Sequence, residues 1–207
     1  MRPKLKSLPK AAKVQARLNE AVALHQQGRL EQAKQIYEEI LQSNPKHFDA
    51  LHLLGVIAKQ SQDYQISVEL IGNAIEINPS NAVYYSNLGN VFKELEQFEA
   101  AFASYNKAIQ LNPNIAQMHS NLGNVLLEME QFETAIDSYN KAISLKPDYA
   151  EAFYSRGNAL KNLKQFESAI DSYNKAISLK PEYAIAYNNR GVVLMELKEF
   201  DSAADSF

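Results

Sequence analysis

Apolar residues recur along this chain in a pattern that repeats every 34 residues. Each repeating unit contains two amphipathic stretches of helical length, for example residues 83–95 and 99–111, and a proline follows the second stretch. Apolar positions three and four residues apart are typical of helices that bury one side. Proline cannot continue a helix, and it disfavours helical backbone in the residue before it. The pattern therefore predicts two helices per unit, here called helix A and helix B, with helix B ending before the proline.

Several residue types keep the same register, which fixes the boundaries of the units. The 34-residue interval separates Pro45, Pro79, Pro113, Pro147 and Pro181, and it also separates Gly55, Gly89, Gly123, Gly157 and Gly191. With the proline at position 32, the units are residues 14–47, 48–81, 82–115, 116–149, 150–183 and a partial sixth unit, 184–207. A fixed period of this length is typical of a helical solenoid. We predict an all-α fold, preceded by a basic, flexible tail over residues 1–13.

The glycine at position 8 lies inside the predicted helix A of each unit. Glycine in a helix interior costs about 1 kcal/mol relative to alanine. Its recurrence therefore needs a reason from packing, and we expect helix B to approach helix A closely at this position.

This register resembles the tetratricopeptide repeat. Unit 82–115 carries the residues typical of that family at Tyr85, Leu88, Gly89, Phe92, Ala101, Tyr105, Ala108 and Pro113. The resemblance implies a right-handed superhelical solenoid, in which the A helices line a concave groove. Arg156 and Arg190 depart from the pattern, because they replace the leucine at position 7.

Asparagines recur at positions 6 and 9 of helix A, on the side opposite its predicted core face. Asparagine is a mediocre helix former, but its amide offers both a donor and an acceptor to the main chain of an extended polypeptide. We therefore predict a peptide-binding groove along Asn87, Asn90, Asn121, Asn124, Asn158 and Asn189. The alternative is that these are surface residues copied by repeat duplication. The asparagines at 106, 140 and 174 fall in helix B, and we expect them to be solvated.

The segment YSNLGNVFKELEQFEAAFASYNKAIQLNP is similar to repeats of the protein O-linked N-acetylglucosamine transferases and their bacterial relatives. In that family the repeats bind acceptor polypeptide and a separate domain transfers the sugar. The resemblance implies a second hypothesis, in which this chain is the substrate-binding N-terminal part of a longer glycosyltransferase. The chain shows no alternation of strands and helices and no glycine-rich phosphate loop, so we predict that it is not itself an enzyme.

The short sixth unit suggests a third hypothesis, an oligomeric scaffold. Solenoids normally end with a polar cap. We expect the last unit to expose an apolar face that includes Val193, Leu194 and Leu197, through which the C-terminal end could pair with a second copy.

Composition and charge argue against several other classes of function. Apolar residues make up 46% of the chain and charged residues 22%, cysteine is absent, and the net charge is −3. These values argue against a disordered chain, a thiolate site and a global field that attracts nucleic acid. The four histidines form no helical ligand pair, so no metal or cofactor is predicted. Neither a membrane span nor a secretory signal is evident. We expect a cytoplasmic scaffold whose partner is a protein or an extended peptide.

Overall fold

Each repeating unit folds as a helix-turn-helix. The structure, a computed structural model, describes residues 9–204, which form twelve α-helices and no strand. The helices are α1 (Lys10–Gln26), α2 (Leu30–Ser43), α3 (Phe48–Gln60), α4 (Tyr64–Ile77), α5 (Ala82–Glu94), α6 (Phe98–Leu111), α7 (Ala116–Glu128), α8 (Phe132–Leu145), α9 (Ala150–Asn162), α10 (Phe166–Leu179), α11 (Ala184–Glu196) and α12 (Phe200–Ala204). Odd-numbered helices are A helices and even-numbered helices are B helices. The predicted all-α repeat architecture is confirmed.

The prolines end the B helices as predicted. The residue before the proline caps helix B in an extended conformation, as at Asn112, whose φ is −145° and whose ψ is 94°. Its backbone N–H donates to the carbonyl oxygen of Ala108 at 2.9 Å, so the last turn of α6 stays closed. The steric preference of a pre-proline residue for extended backbone thus sets the length of each B helix.

The turn from helix A to helix B uses one residue of left-handed backbone. This residue, at position 15, has positive φ at Gln62, Glu96, Glu130, Lys164 and Lys198, and at Gly28 in the first unit. In the turn after α7, the N–H groups of Glu130 and Gln131 donate to the carbonyl oxygens of Leu127 and Leu126. This pattern is the Schellman type of helix end, which satisfies carbonyl groups that the helix leaves open.

The chain divides into two compact units, residues 1–95 and residues 96–207, and each contains α-helical repeats with their own core. The core of the first unit includes Ile36, Tyr37 and Ile57, and that of the second includes Tyr173, Ala176 and Val193. Small and aromatic residues at fixed positions fill both cores because neighbouring helices repeat the same contact.

Three position-8 glycines, Gly55, Gly123 and Gly157, face the packed B helix, which confirms the expected close approach in these repeats. A Cβ atom on Gly157 would lie 2.5 Å from Cε1 of Tyr173, and one on Gly123 would lie 2.6 Å from Cε1 of Tyr139. In the second repeat, a Cβ atom on Gly55 would lie 2.7 Å from Cγ1 of Ile71. No larger residue fits at these positions without a shift of the ring or side chain.

Two expectations about the ends of the chain need correction. Helix α1 begins at Lys10, so residues 10–13 of the predicted flexible tail are helical, because Ala11 and Ala12 favour a helix. Residues 1–8 of that tail lie outside the described residues. In the last repeat, Val193 packs against the preceding repeat, Leu194 is buried and Leu197 is half-buried, so these three side chains do not form an exposed apolar face.

Candidate functional site

All six predicted groove asparagines lie on A helices and are partly buried. We call the side of the A helices formed by positions 2, 6 and 9 the A-helix face. Asn87 and Asn90 belong to α5 in the first unit of the chain. The second unit carries the other four, Asn121 and Asn124 on α7, Asn158 on α9 and Asn189 on α11.

In the compact unit 1–95, the predicted groove residue Asn87 bonds to a buried histidine. The amide nitrogen of Asn87 lies 2.8 Å from Nε2 of His52, whose ring stacks on Tyr84 with centroids 4.4 Å apart. Burial lowers the pKa of His52 to about 4, although the charge of Asp49 opposes this shift. The imidazole is therefore neutral near pH 7, and Nε2 accepts a hydrogen bond from Asn87. The amide nitrogen of Asn90 donates to Oδ1 of Asn87 at 3.5 Å.

In the compact unit 96–207, tyrosine hydroxyls bond to the asparagines at position 9 of two repeats. The hydroxyl of Tyr139 donates to Oδ1 of Asn124 at 2.9 Å, and that of Tyr173 donates to Oδ1 of Asn158 at 2.9 Å. Both tyrosines are fully buried at position 24 of helix B. Burial raises the pKa of each hydroxyl, so both are protonated donors at neutral pH. The bond from Tyr to Asn therefore links the core to the A-helix face.

The position-6 side chains connect neighbouring repeats. The amide nitrogen of Asn189 donates to Oδ1 of Asn158 at 2.9 Å and to the hydroxyl of Tyr154 at 3.1 Å. Asn121 accepts a bond from Nε2 of Gln117 at 2.7 Å within α7. The bonds His52–Asn87 and Tyr154–Asn189 both join residues 35 apart, from position 5 of one repeat to position 6 of the next. Part of the asparagine row therefore serves contacts between repeats.

Sequence reasoning missed the role of the tyrosine hydroxyls, although a signal was present. A tyrosine at position 24 accompanies an asparagine at position 9 in the third, fourth and fifth repeats, whereas the second repeat has Ile71 at position 24 and Val56 at position 9. The first repeat is an exception, since it has Tyr37 at position 24 but Val22 in place of an asparagine at position 9. Accordingly, the Tyr37 hydroxyl is a buried polar atom without a hydrogen-bond partner among residues 9–204.

The arginines at position 7 also have partners that the sequence did not reveal. Nη1 of Arg156 donates to Oδ1 of Asn140 at 2.8 Å, and Nη1 of Arg190 donates to Oδ1 of Asn174 at 2.8 Å. Asn140 and Asn174 are exposed, but they are more than the solvated residues we expected, because each ties helix B to the next helix A. The departure from leucine at position 7 therefore comes with a polar bond between repeats.

Apolar side chains border the amides at one end of the second unit. On α11, Ile185 at position 2 is 51% exposed and Val192 at position 9 is 40% exposed, on either side of Asn189. The A-helix face of this unit thus combines amides with two accessible aliphatic side chains.

Other chemistry is not supported in the part of the chain that the structure describes. His119 is buried, and its Nε2 lies 2.8 Å from the carbonyl oxygen of Pro113, so it serves as a packed residue at the end of α6. Within residues 9–204, His, Asp and Glu form no group of three or more that could hold a metal ion. None of the described helices has both the length and the apolar character to cross a membrane.

These repeated helix pairs, with glycine against tyrosine at the A–B contact, define a class of helical repeat protein. Family models for the TPR repeat match residues 89–130, 123–164 and 157–198, and a further tetratricopeptide repeat model matches residues 24–91. Together they span most of the chain, which belongs to the tetratricopeptide repeat family.

Solved structures share the fold over most of their length. MamA is 25% identical with a TM-score of 0.71, covering 74% of this chain and 90% of that one. The Pseudomonas aeruginosa protein pilF is 22% identical with a TM-score of 0.82, covering 93% and 88%. YrrB, described as a TPR protein with an unusual peptide-binding site, is 20% identical with a TM-score of 0.70, covering 82% and 88%.

Proposed function

We propose that this chain is a non-catalytic scaffold that holds an extended polypeptide along its A-helix face. The observation that carries this proposal is the state of Asn124 and Asn158. Each amide oxygen is bonded to a tyrosine, while each amide nitrogen has no partner among the described residues. Partly buried donors of this kind gain most when a ligand supplies the missing acceptor.

Membership of the tetratricopeptide repeat family supports a protein-binding role, and the description of YrrB indicates that a chain of this fold can present a peptide-binding site. The predicted groove asparagines give that role a mechanism, since an amide group can pair with the main chain of any polypeptide. The aliphatic Ile185 and Val192 would add a preference for an apolar side chain at one end of the bound segment.

The test uses a peptide selected on the wild-type protein from a random peptide library, labelled and titrated by fluorescence anisotropy. The double variant N124A/N158A should bind it about tenfold more weakly, because two hydrogen bonds are lost. The matched control is N140A/N174A, which removes two asparagines from B helices and should leave the affinity unchanged. Equal affinities of N124A/N158A and wild type, with the helical circular dichroism intact, would contradict the proposal.

Self-association through α11 and α12 is a second candidate, favoured by the exposed side chains of Met195 and Phe200, which are 51% and 64% accessible. Sedimentation velocity tests it, since M195K should lower the dimer fraction of a self-associating chain. A monomer at every concentration would exclude this candidate. The glycosyltransferase hypothesis stays a prediction, and the gene sequence beyond the codon for Phe207 tests it.

A further inference from the structure

We propose that Tyr139 and Tyr173 are positioning residues that fix the amides of Asn124 and Asn158, so that the A-helix face presents donors and recognises the carbonyl oxygens of an extended main chain. This inference rests on the proposed function and adds which main-chain groups of the ligand are recognised. The site would bind acceptors, and the amide N–H groups of the ligand would play no part at these two positions.

The geometry places both hydroxyls with little freedom. Each ring is fully buried and lies against the backbone of helix A where glycine leaves room, at Gly123 and Gly157. The hydroxyl oxygen then lies 2.9 Å from Oδ1 of the asparagine that follows that glycine. The sequence Gly-Asn on helix A and the tyrosine on helix B therefore act as one unit, repeated in α7–α8 and α9–α10.

The direction of these bonds follows from the chemistry of the two partners. An amide oxygen can only accept, so the hydroxyl of Tyr139 donates its single hydrogen to Oδ1 of Asn124, and the hydroxyl of Tyr173 donates to Oδ1 of Asn158. Each amide is thereby oriented with its oxygen toward the core.

At Asn158 the orientation is fixed twice. Its Oδ1 accepts from the Tyr173 hydroxyl and from the amide nitrogen of Asn189, both at 2.9 Å, which occupies both lone pairs. Its nitrogen, with two N–H groups, is the part of the amide still able to bind a ligand. The oxygen of Asn124 accepts one such bond, from Tyr139, and its nitrogen likewise keeps two N–H groups for a ligand.

A neutral carbonyl is the acceptor that suits these donors. Glu128 on α7 and Glu151 on α9 are exposed on the same A helices and would repel a carboxylate or phosphate ligand. Lys180 pairs with Glu151 at 3.6 Å, but it is itself exposed, so it screens that charge only in part. Main-chain carbonyl groups of an extended polypeptide are uncharged and occur at every residue, so they match the repeated donors.

The first repeat, residues 14–47, supplies a natural control. Tyr37 occupies position 24, as Tyr139 and Tyr173 do, but position 9 is Val22 and the hydroxyl is unpartnered among the described residues. A Tyr-to-Phe change at position 37 therefore removes the same atom without touching any groove amide.

The experiment titrates the library-selected peptide described above against wild type, Y139F/Y173F and Y37F. We expect Y139F/Y173F to bind about fivefold more weakly, because the freed amides no longer point their nitrogens at the ligand. Y37F should bind as wild type does. Versions of the peptide with single amide-to-ester replacements, which weaken one carbonyl acceptor each, should lose affinity for wild type at the contacted positions and lose less for Y139F/Y173F.

The outcomes separate this inference from the proposed function. If N124A/N158A weakens binding but Y139F/Y173F does not, the asparagines bind peptide and the tyrosines do not position them. If the ester replacements cost the same affinity in both proteins, the tyrosines act only on stability and the inference is overturned. If N124A/N158A itself binds normally, the proposed function fails.

Discussion

At the scale of single residues, the fold leaves no room for a side chain where Gly123 and Gly157 face a tyrosine ring. We predict that Gly157→Ala lowers the free energy of unfolding by about 2 kcal/mol, because its Cβ would lie 2.5 Å from the Tyr173 ring. The control is Gly72→Ala in α4, where the new Cβ would meet no atom within 4 Å beyond the local backbone of its own helix. That change should stabilise by up to about 1 kcal/mol through helix propensity. Urea denaturation measures both, and equal signs would contradict the packing argument.

The unpaired hydroxyl of Tyr37 makes a second prediction at this scale. A buried polar group without a partner costs about 1–3 kcal/mol, so Tyr37→Phe should stabilise the protein by about 1 kcal/mol. Tyr139→Phe removes the same atom where it is bonded to Asn124, and should destabilise by about 1 kcal/mol. Thermal unfolding of the two variants decides the matter, and a loss of stability in Tyr37→Phe would show that its hydroxyl has a partner.

His52 predicts how stability depends on pH. Burial lowers its pKa from 6.5 to about 4, so the folded protein binds its proton more weakly than the unfolded chain does. Stability is therefore retained above about pH 6.5 and falls as the pH drops toward 4, by up to about 3 kcal/mol. His52→Gln keeps an acceptor for Asn87 and should flatten this part of the profile. Parallel profiles of the unfolding midpoint for wild type and variant would refute the assignment.

At the scale of elements, the turn between helices A and B carries a strained residue. Five of the six turns use a residue other than glycine at positive φ, and the first uses Gly28 with a φ of 74°. We predict that Gly28→Ala lowers the free energy of unfolding by about 1 kcal/mol, although no atom lies within 4 Å of the added Cβ. Because Gly72→Ala also enters open space, the opposite signs of the two changes would isolate the backbone effect. Stabilisation by Gly28→Ala would contradict it.

At the scale of the whole molecule, helices within each of the two compact units contact their neighbours in sequence. Stability in such chains is a sum of terms from each repeat and from the interfaces between adjacent repeats. We predict that Gly157→Ala lowers amide hydrogen-exchange protection most in α9 and α10 and least in α6, within the second unit of the chain. Mass spectrometry of exchanged peptides reads this gradient. Uniform loss across α6–α11 would instead show that the unit opens all at once.

The repeats, the helix pairs and the small residues of the core could be predicted from the sequence. Their signals are local, since proline ends α6 whatever surrounds it, and a glycine that recurs in mid-helix, as at Gly123, costs helix stability and so indicates a packing reason. The helical wheel also predicts that Asn124 and Asn158 lie on the side of helix A opposite its core face, and both are partly buried. It could not separate them from Asn189, whose amide donates to Tyr154 and Asn158 of the preceding repeat.

The sequence by itself determined the period, the two helices of each unit and the side of helix A on which the amides lie, because these follow from the helical repeat and from steric rules for proline and glycine. Only the tertiary structure decided the partner of each polar atom. The hydroxyl of Tyr139 reaches Asn124, and Arg156 reaches Asn140, because helix packing sets distances between residues that are 15 or 16 positions apart. Hydrogen bonds need atoms about 3 Å apart, and no periodicity along the chain specifies that distance.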